Sequence, residues 1–300
     1  MASGEGNDPA PPLTSWILLA VGVLSASVAA ILIRYATGAE PLAIAFWRCA
    51  AGAVALAPFG GRRFASLAPR AWVLPLVAGG FLAVHFGSWI TSLSLTTVAH
   101  AILLVSITPV FTALAARYLF RERLRRAVWI GIALALAGSA LIAAAGGGSG
   151  TASWSGDMLA LLGALTVAGY TLAGEVSRRQ LGIVEYAVLT YGTAALLLLA
   201  VCLVAGIPLG NYPAQTWLAI AGIVIGPQLL GHTLLNFVLK DLDSTTVSAA
   251  VMAEPPIAIA LAFVLFAETP SALVYPAGLA ILCGILLVSV KRGKVPEVLE

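Results

Sequence analysis

The carboxylate of Glu254 stands directly before Pro255 and Pro256, within a long apolar run. Proline donates no backbone hydrogen bond, so the carbonyls of Val251 and Met252 lose their helical partners and the chain kinks there. An acid beside such a kink can bind an ammonium or hold a proton; the plainer reading is a structural pair or a capped carbonyl. Arg48 is the second charge set deep in an apolar run. Its guanidinium can meet a carboxylate bidentately, or it can form a structural ion pair. Gln228, His232 and Asn236 follow at i, i+4 and i+8, a spacing that puts them on one helix face. Such a stripe can line a cavity or simply hydrogen-bond between helices. His85 is followed by Ser88, Trp89 and Ser92 at helical spacing. It can titrate near neutral pH, but two histidines without further ligands make a poor metal site, and no metal or other cofactor is expected. Trp47, Tyr170 and Tyr191 also lie deep in apolar runs. They can stack on a ring or a cation, or pack as core.

These residues need elements to hold them, and composition says which. Of 300 residues, 60% are hydrophobic and 10% charged, whereas a soluble domain carries about 25% charged residues. Too few polar residues exist to cover a soluble surface, so the solvent around most of the chain is lipid. The net charge of +3 decides nothing alone. Cys49, Cys202 and Cys283 lie singly in apolar runs and read as packing residues. A membrane span needs about 20 apolar residues. That window gives ten candidates: 14–34, 41–59, 71–94, 97–118, 127–145, 156–177, 185–205, 214–238, 245–266 and 272–290. The runs are continuous rather than alternating, which excludes a membrane β-barrel. A charge in mid-membrane costs several kcal/mol, so Arg48 and Glu254 are expected to face a cavity or a partner. Glu175, near the end of the sixth span, is expected to reach water.

Basic residues set the orientation. One set of loops and tails holds Arg62, Arg63, Arg70, Arg117, Arg121, Arg123, Arg125, Arg126, Arg178, Arg179, Lys240, Lys291, Arg292 and Lys294, which is 14 of the 16 Lys and Arg. Arg34 alone falls on the other side. The positive-inside bias places both termini in the cytoplasm. Trp72, Trp154 and Trp217 lie near span ends and are expected in the interfacial aromatic belts.

The chain repeats itself. Shifting 108–142 by 146 lays it on 254–288 without a gap, so that Pro109 meets Pro255, Leu119 meets Leu265, Phe120 meets Phe266, Glu122 meets Glu268 and Gly138 meets Gly284. A shift of 145 puts Arg34 on Arg179 and Glu40 on Glu185, and His85 and His232 differ by 147. Five spans per repeat is an odd number, so the second half enters the membrane from the opposite side. That is an all-α, ten-helix, 5+5 inverted repeat, an architecture that recurs in transporters. The expected organisation is a disordered tail at 1–13, a first five-helix repeat at 14–145, a Gly/Ser-rich linker at 146–155, a second repeat at 156–290 and a tail at 291–300. Pro109, Pro227, Pro255 and Pro256 are the expected hinge or kink positions. No basic n-region precedes the first apolar run, which reads as a retained span rather than a secretory signal.

Two halves of five spans, each with a Pro-bearing fourth span, then Leu-Phe-x-Glu, then a Gly-bearing fifth span, resemble the drug/metabolite transporter superfamily. The segments SITPVFTALAARYLFRERLRRAVWIGIALALAGSALI and MAEPPIAIALAFVLFAETPSALVYPAGLAILCGILLV resemble paired EamA domains. Within the superfamily the chain is most similar to YddG-type amino-acid exporters. The resemblance implies export of neutral or aromatic amino acids, or related small metabolites, across the bacterial inner membrane. It implies alternating access around a midplane cavity, with a small molecule and membrane lipid as partners and no nucleic acid. Oligomeric state stays open, with a monomer compatible. Small four-span multidrug members of the superfamily carry an essential Glu in their first span; the first span here, TSWILLAVGVLSASVAAILIR, has no acid, so their proton coupling does not carry over. The alternatives are a multidrug exporter of aromatic cations, using Glu254 and the same aromatic residues, and a passive channel. A phosphorylated cargo wants two or more cavity cations, and only Arg48 is available. No HExxH, GxSxG, Asp dyad or Walker A motif marks an enzyme.

Overall fold

The structure, a computed structural model, describes residues 11–96, 98–121, 124–145, 153–266 and 271–289. Expectations for both tails, for most of the linker and for Glu122, Arg123 and Glu268 lie outside these residues. Among the described residues there are helices and no strands. Nine apolar helical segments among the described residues are long enough to cross a membrane: Leu13–Tyr35, Pro41–Gly60, Pro69–Leu95, His100–Leu119, Arg126–Ala144, Trp154–Arg178, Ile183–Val204, Ala214–Val238 and Ser244–Leu261. A shorter apolar helix, Val274–Ser289, is the tenth. In chain order these are the first to tenth spans. Many of their outward side chains are apolar, among them Val54, Leu196, Val204, Leu218, Leu279 and Leu286, as a lipid-facing surface requires.

The packing follows the repeat. The second span packs on the seventh and the fifth on the tenth, each pair joining equivalent helices of the two halves. The third packs on the sixth, and, equivalently, the eighth on the first. At the fifth–tenth seam a Cβ on Gly131 would stand 2.6 Å from the Gly284 carbonyl oxygen, and one on Gly138 would stand 2.6 Å from that of Ala277. The shift of 146 turns Gly131 into Ala277 and Gly138 into Gly284. The two close approaches are therefore one contact made twice about a pseudo-two-fold axis.

Spans four and nine are each broken at equivalent points. The fourth consists of Val98–Val105 and Thr108–Leu119, the ninth of Ser244–Val251 and Glu254–Phe266. Pro109 and Pro255 follow the breaks, as their missing N–H groups demand. In the fourth span the hydroxyl of Thr108 donates to the Val105 carbonyl at 2.7 Å, which satisfies one freed acceptor. The first span also breaks, between Leu13–Ala26 and Ala29–Tyr35, with the Ser27 hydroxyl donating to the Val23 carbonyl at 2.7 Å. The eighth span widens into a π-helical stretch over Val224–His232 that contains Pro227.

Two expectations are corrected. Glu175 does not reach water: it is buried, accepts from Arg179 Nη2 at 3.0 Å, and accepts from the backbone N–H of Ser244 at 2.8 Å. The sixth span thereby holds the start of the ninth, whose first turn has orphan N–H groups needing acceptors. Trp72 and Trp154 are exposed near span ends, but Trp217 turns inward onto Trp47, with ring centroids 5.2 Å apart. Replacing Glu175 by Ala is expected to destabilise the protein by about 2 kcal/mol, the scale of charge-assisted hydrogen bonds. A fall in Tm in detergent checks this; an unchanged Tm would show that water replaces the carboxylate without loss.

Candidate functional site

A cavity of about 120 Å³ lies where the broken and widened helices meet. The ninth span contributes Glu254 and Pro255, and the second contributes Arg48. His85, Phe86 and Trp89 come from the third span, Pro109 from the fourth and Tyr170 from the sixth. The eighth contributes Pro227, His232 and Asn236, and the broken first span contributes Ser27.

All but one of the charged and polar side chains just named have contacts that fix them. His85 Nδ1 lies 2.9 Å from the Gly163 carbonyl oxygen, and its ring stacks on Trp89 with centroids 6.1 Å apart. The His232 ring meets Phe86 edge-on at 5.0 Å and Tyr170 at 6.0 Å. Asn236 Nδ2 donates to the Tyr170 hydroxyl and to the His232 carbonyl. Arg48 is 1% exposed; its Nε donates to Gln228 Oε1 at 2.9 Å, and its guanidinium carbon sits 3.7 Å from the centroid of the Phe86 ring. Glu254 is half-buried at the head of Glu254–Phe266. No hydrogen bond or ion pair from the described residues reaches it.

The remaining candidates lie beside the cavity rather than on it. Gln228 is wholly buried behind Arg48. Gln228 points at the second span, its Cγ 3.0 Å from where a Cβ on Gly52 would stand, while His232 lines the cavity. Tyr191 is buried, its hydroxyl 3.1 Å from Thr233 Oγ1. Trp47 donates from Nε1 to the Leu209 carbonyl at 3.0 Å, away from the cavity. Pro256 Cβ faces the tenth span at Gly278. Sequence reasoning missed Phe86, which no pattern distinguishes from a core phenylalanine. It also missed Ser27, Ser106 and Thr108, although the shift of 146 that lays Thr108 on Glu254 is visible in the sequence.

The two faces of the membrane domain differ. On the arginine-rich face, Thr108–Leu119 of the fourth span packs against Ser244–Val251 of the ninth. Thr112 Oγ1 lies 2.8 Å from Ser248 Oγ, and Thr112, Ala113 and Ala116 are fully buried. The repeat maps Thr112 to Ala258 and Ser248 to Ile102. Those two residues line the cavity instead, half-buried, and Val98–Val105 does not pack comparably on Glu254–Phe266. Glu185 on the arginine-rich face is likewise buried, while its equivalent Glu40 is exposed.

The EamA-like transporter family matches residues 14–144 and 154–290. The chain belongs to the EamA-like transporters. It is 30% identical over 246 residues, 79% of this chain and 78% of the other, to a protein from Streptantibioticus cattleyicolor named "probable terminal-alkyne amino-acid exporter". It is 22% identical over 263 residues, 87% of this chain and 86% of the other, to the uncharacterized transporter YdfC of Bacillus subtilis. A solved crystal structure superimposes with a TM-score of 0.77 over 92% of this chain and 96% of that one, at 23% identity; that likeness concerns the fold. The cavity is thus the central cavity of a multi-pass EamA-like transporter of the drug/metabolite superfamily, whose cargo is a small molecule.

Proposed function

We propose that this chain is a secondary transporter that exports neutral amino acids, aromatic ones among them, from the bacterial cytoplasm by alternating access around the central cavity. The observation that carries the reading is the inequality of two equivalent contacts. Thr112–Ser248 is closed and Ile102–Ala258 is apart, although the repeat relates the two pairs. Exchanging the conformations of the two halves would open the first pair and close the second around the same cavity. With the arginine-rich face assigned to the cytoplasm by the positive-inside rule, the closed Thr112–Ser248 pair supports a reading in which access from the cytoplasm is shut. An amino-acid cargo suits a cavity bearing one cation, one anion and aromatic walls, and it agrees with the name of the Streptantibioticus relative. Arg48 speaks against a purely cationic drug, which it would repel.

The test is counterflow in proteoliposomes with paired cysteines, in a protein whose three native cysteines are replaced. Labelled phenylalanine flux is expected to accelerate when unlabelled phenylalanine is present on the far side. With a mild added oxidant such as copper-phenanthroline, the pair T112C/S248C is expected to form a disulfide readily, while I102C/A258C links only as the protein cycles and faster with phenylalanine present. Each link stops flux, and reductant restores it. A passive channel would show no acceleration, and its flux would continue without I102C/A258C ever linking. Flux of an aromatic cation but not of phenylalanine would refute the amino-acid cargo.

A further inference from the structure

Arg48 is placed at a cost that nothing among the described residues offsets in full. A buried guanidinium in a membrane protein ordinarily has a carboxylate or several carbonyls as partners. Here no Asp or Glu among the described residues lies within ion-pair distance of it. Its one side-chain hydrogen bond goes to a neutral amide, from Nε to Gln228 Oε1 at 2.9 Å. One face of the guanidinium is occupied by the Phe86 ring at 3.7 Å. Its Nη2 is buried with no acceptor, and so is Nε2 of Gln228. A buried donor left unmade costs about 1–3 kcal/mol, more when charged, so the guanidinium stands uncompensated where the second span meets the cavity. Nε is committed to Gln228 and one face to Phe86, and Arg48 is at the same time a lining residue of the cavity.

We propose that Arg48 is the anchor for the carboxylate of the transported molecule, with Gln228 and Phe86 as positioning residues that hold the guanidinium edge toward the cavity. The inference rests on the amino-acid reading and deepens it. A carboxylate brings acceptor lone pairs and a formal charge, the two things this site lacks. Glu254 lines the same cavity from the ninth span without pairing with Arg48. A zwitterion can therefore set its carboxylate on the second span and its ammonium toward the ninth. Cargo lacking the carboxylate leaves the guanidinium unneutralised and gains nothing from the site. Discrimination by a site built to bond a charged group exceeds discrimination by a merely apolar pocket.

The test begins with wild-type proteoliposomes and labelled phenylalanine. Absence of phenylalanine flux at this first step would refute the amino-acid reading itself. Given flux, phenylalaninamide, which keeps the ammonium and loses the carboxylate, is expected to compete about tenfold or more weakly than phenylalanine. In Gln228→Glu a resident carboxylate neutralises the guanidinium within the same side-chain outline, and in Arg48→Gln the charge is gone. Both variants are expected to compress the preference for phenylalanine over its amide to within about twofold. Equal competition by the amide in the wild type would overturn the proposal while leaving amino-acid transport standing. So would a preference unchanged in Gln228→Glu. The wild-type series and Gln228→Glu decide the matter even where Arg48→Gln does not fold.

Discussion

Gly284→Leu is expected to remove folded protein from the membrane. A Cβ at this position would stand 2.5 Å from the Gly131 carbonyl oxygen and 2.8 Å from both the Cβ and the backbone nitrogen of Ala135. Two of those three neighbours are backbone atoms, so no rotamer change relieves the clash and the fifth and tenth spans must separate. Helix association in lipid depends on close van der Waals packing over small residues, because lipid tails are as apolar as leucine. Overpacking typically costs about 1–3 kcal/mol, and a rigid backbone seam belongs at or above the top of that range. Size-exclusion chromatography in detergent should show loss of the monodisperse peak, with a lower Tm in any residue of folded material. Gly192→Ala is the control. Nothing lies within 4 Å of a Cβ there, and alanine favours the helix. A Gly284→Leu protein with wild-type yield and Tm would show that the seam gives way more easily than the geometry implies.

Glu254→Gln is expected to leave the fold intact and to cut phenylalanine transport about 10- to 100-fold, the worth of one charge-assisted hydrogen bond. Glutamine keeps the outline of the side chain, and no partner among the described residues loses a bond. Acids in the first turn of a helix gain from its dipole, but that term is a few tenths of a kcal/mol to about 1 kcal/mol and does not threaten folding. Tm should therefore stay within about 2 °C. Flux and Tm measured on the same preparation separate the two roles. Unchanged flux would remove Glu254 from the site, and lost flux with a collapsed Tm would make it structural.

Much of this was legible in the residue string, for identifiable reasons. Spans announce themselves by length and apolar composition, and the odd number per repeat forces the inversion. Pro109 and Pro255 betray the breaks because a missing N–H acts locally. Arg48 and Glu254 stand out because a charge in an apolar run is rare. What was not legible depends on tertiary context. That Gln228 packs behind Arg48 while His232 lines the cavity is invisible to a count of four residues. Trp47 and Trp217 lie 170 positions apart, and nothing in either span foretells that they meet. Glu175 sits where a helix end could equally reach water. Symmetry in the sequence treats Thr112–Ser248 and Ile102–Ala258 as equals; only the folded protein shows which pair is shut.

The seam between the fifth and tenth spans has the form of an isologous interface. Gly131 meets Gly284 as Ala277 meets Gly138, so each half offers the other the same patch. This is the self-complementarity that two-fold dimers of identical subunits obey, carried here within one polypeptide. Fusion relaxes the demand for identity, and the cavity uses that licence: Glu254 occupies in one half the place that Thr108 holds in the other. The outer seam keeps the matching that assembly needs, while the interior diverges far enough to tell one end of a molecule from the other.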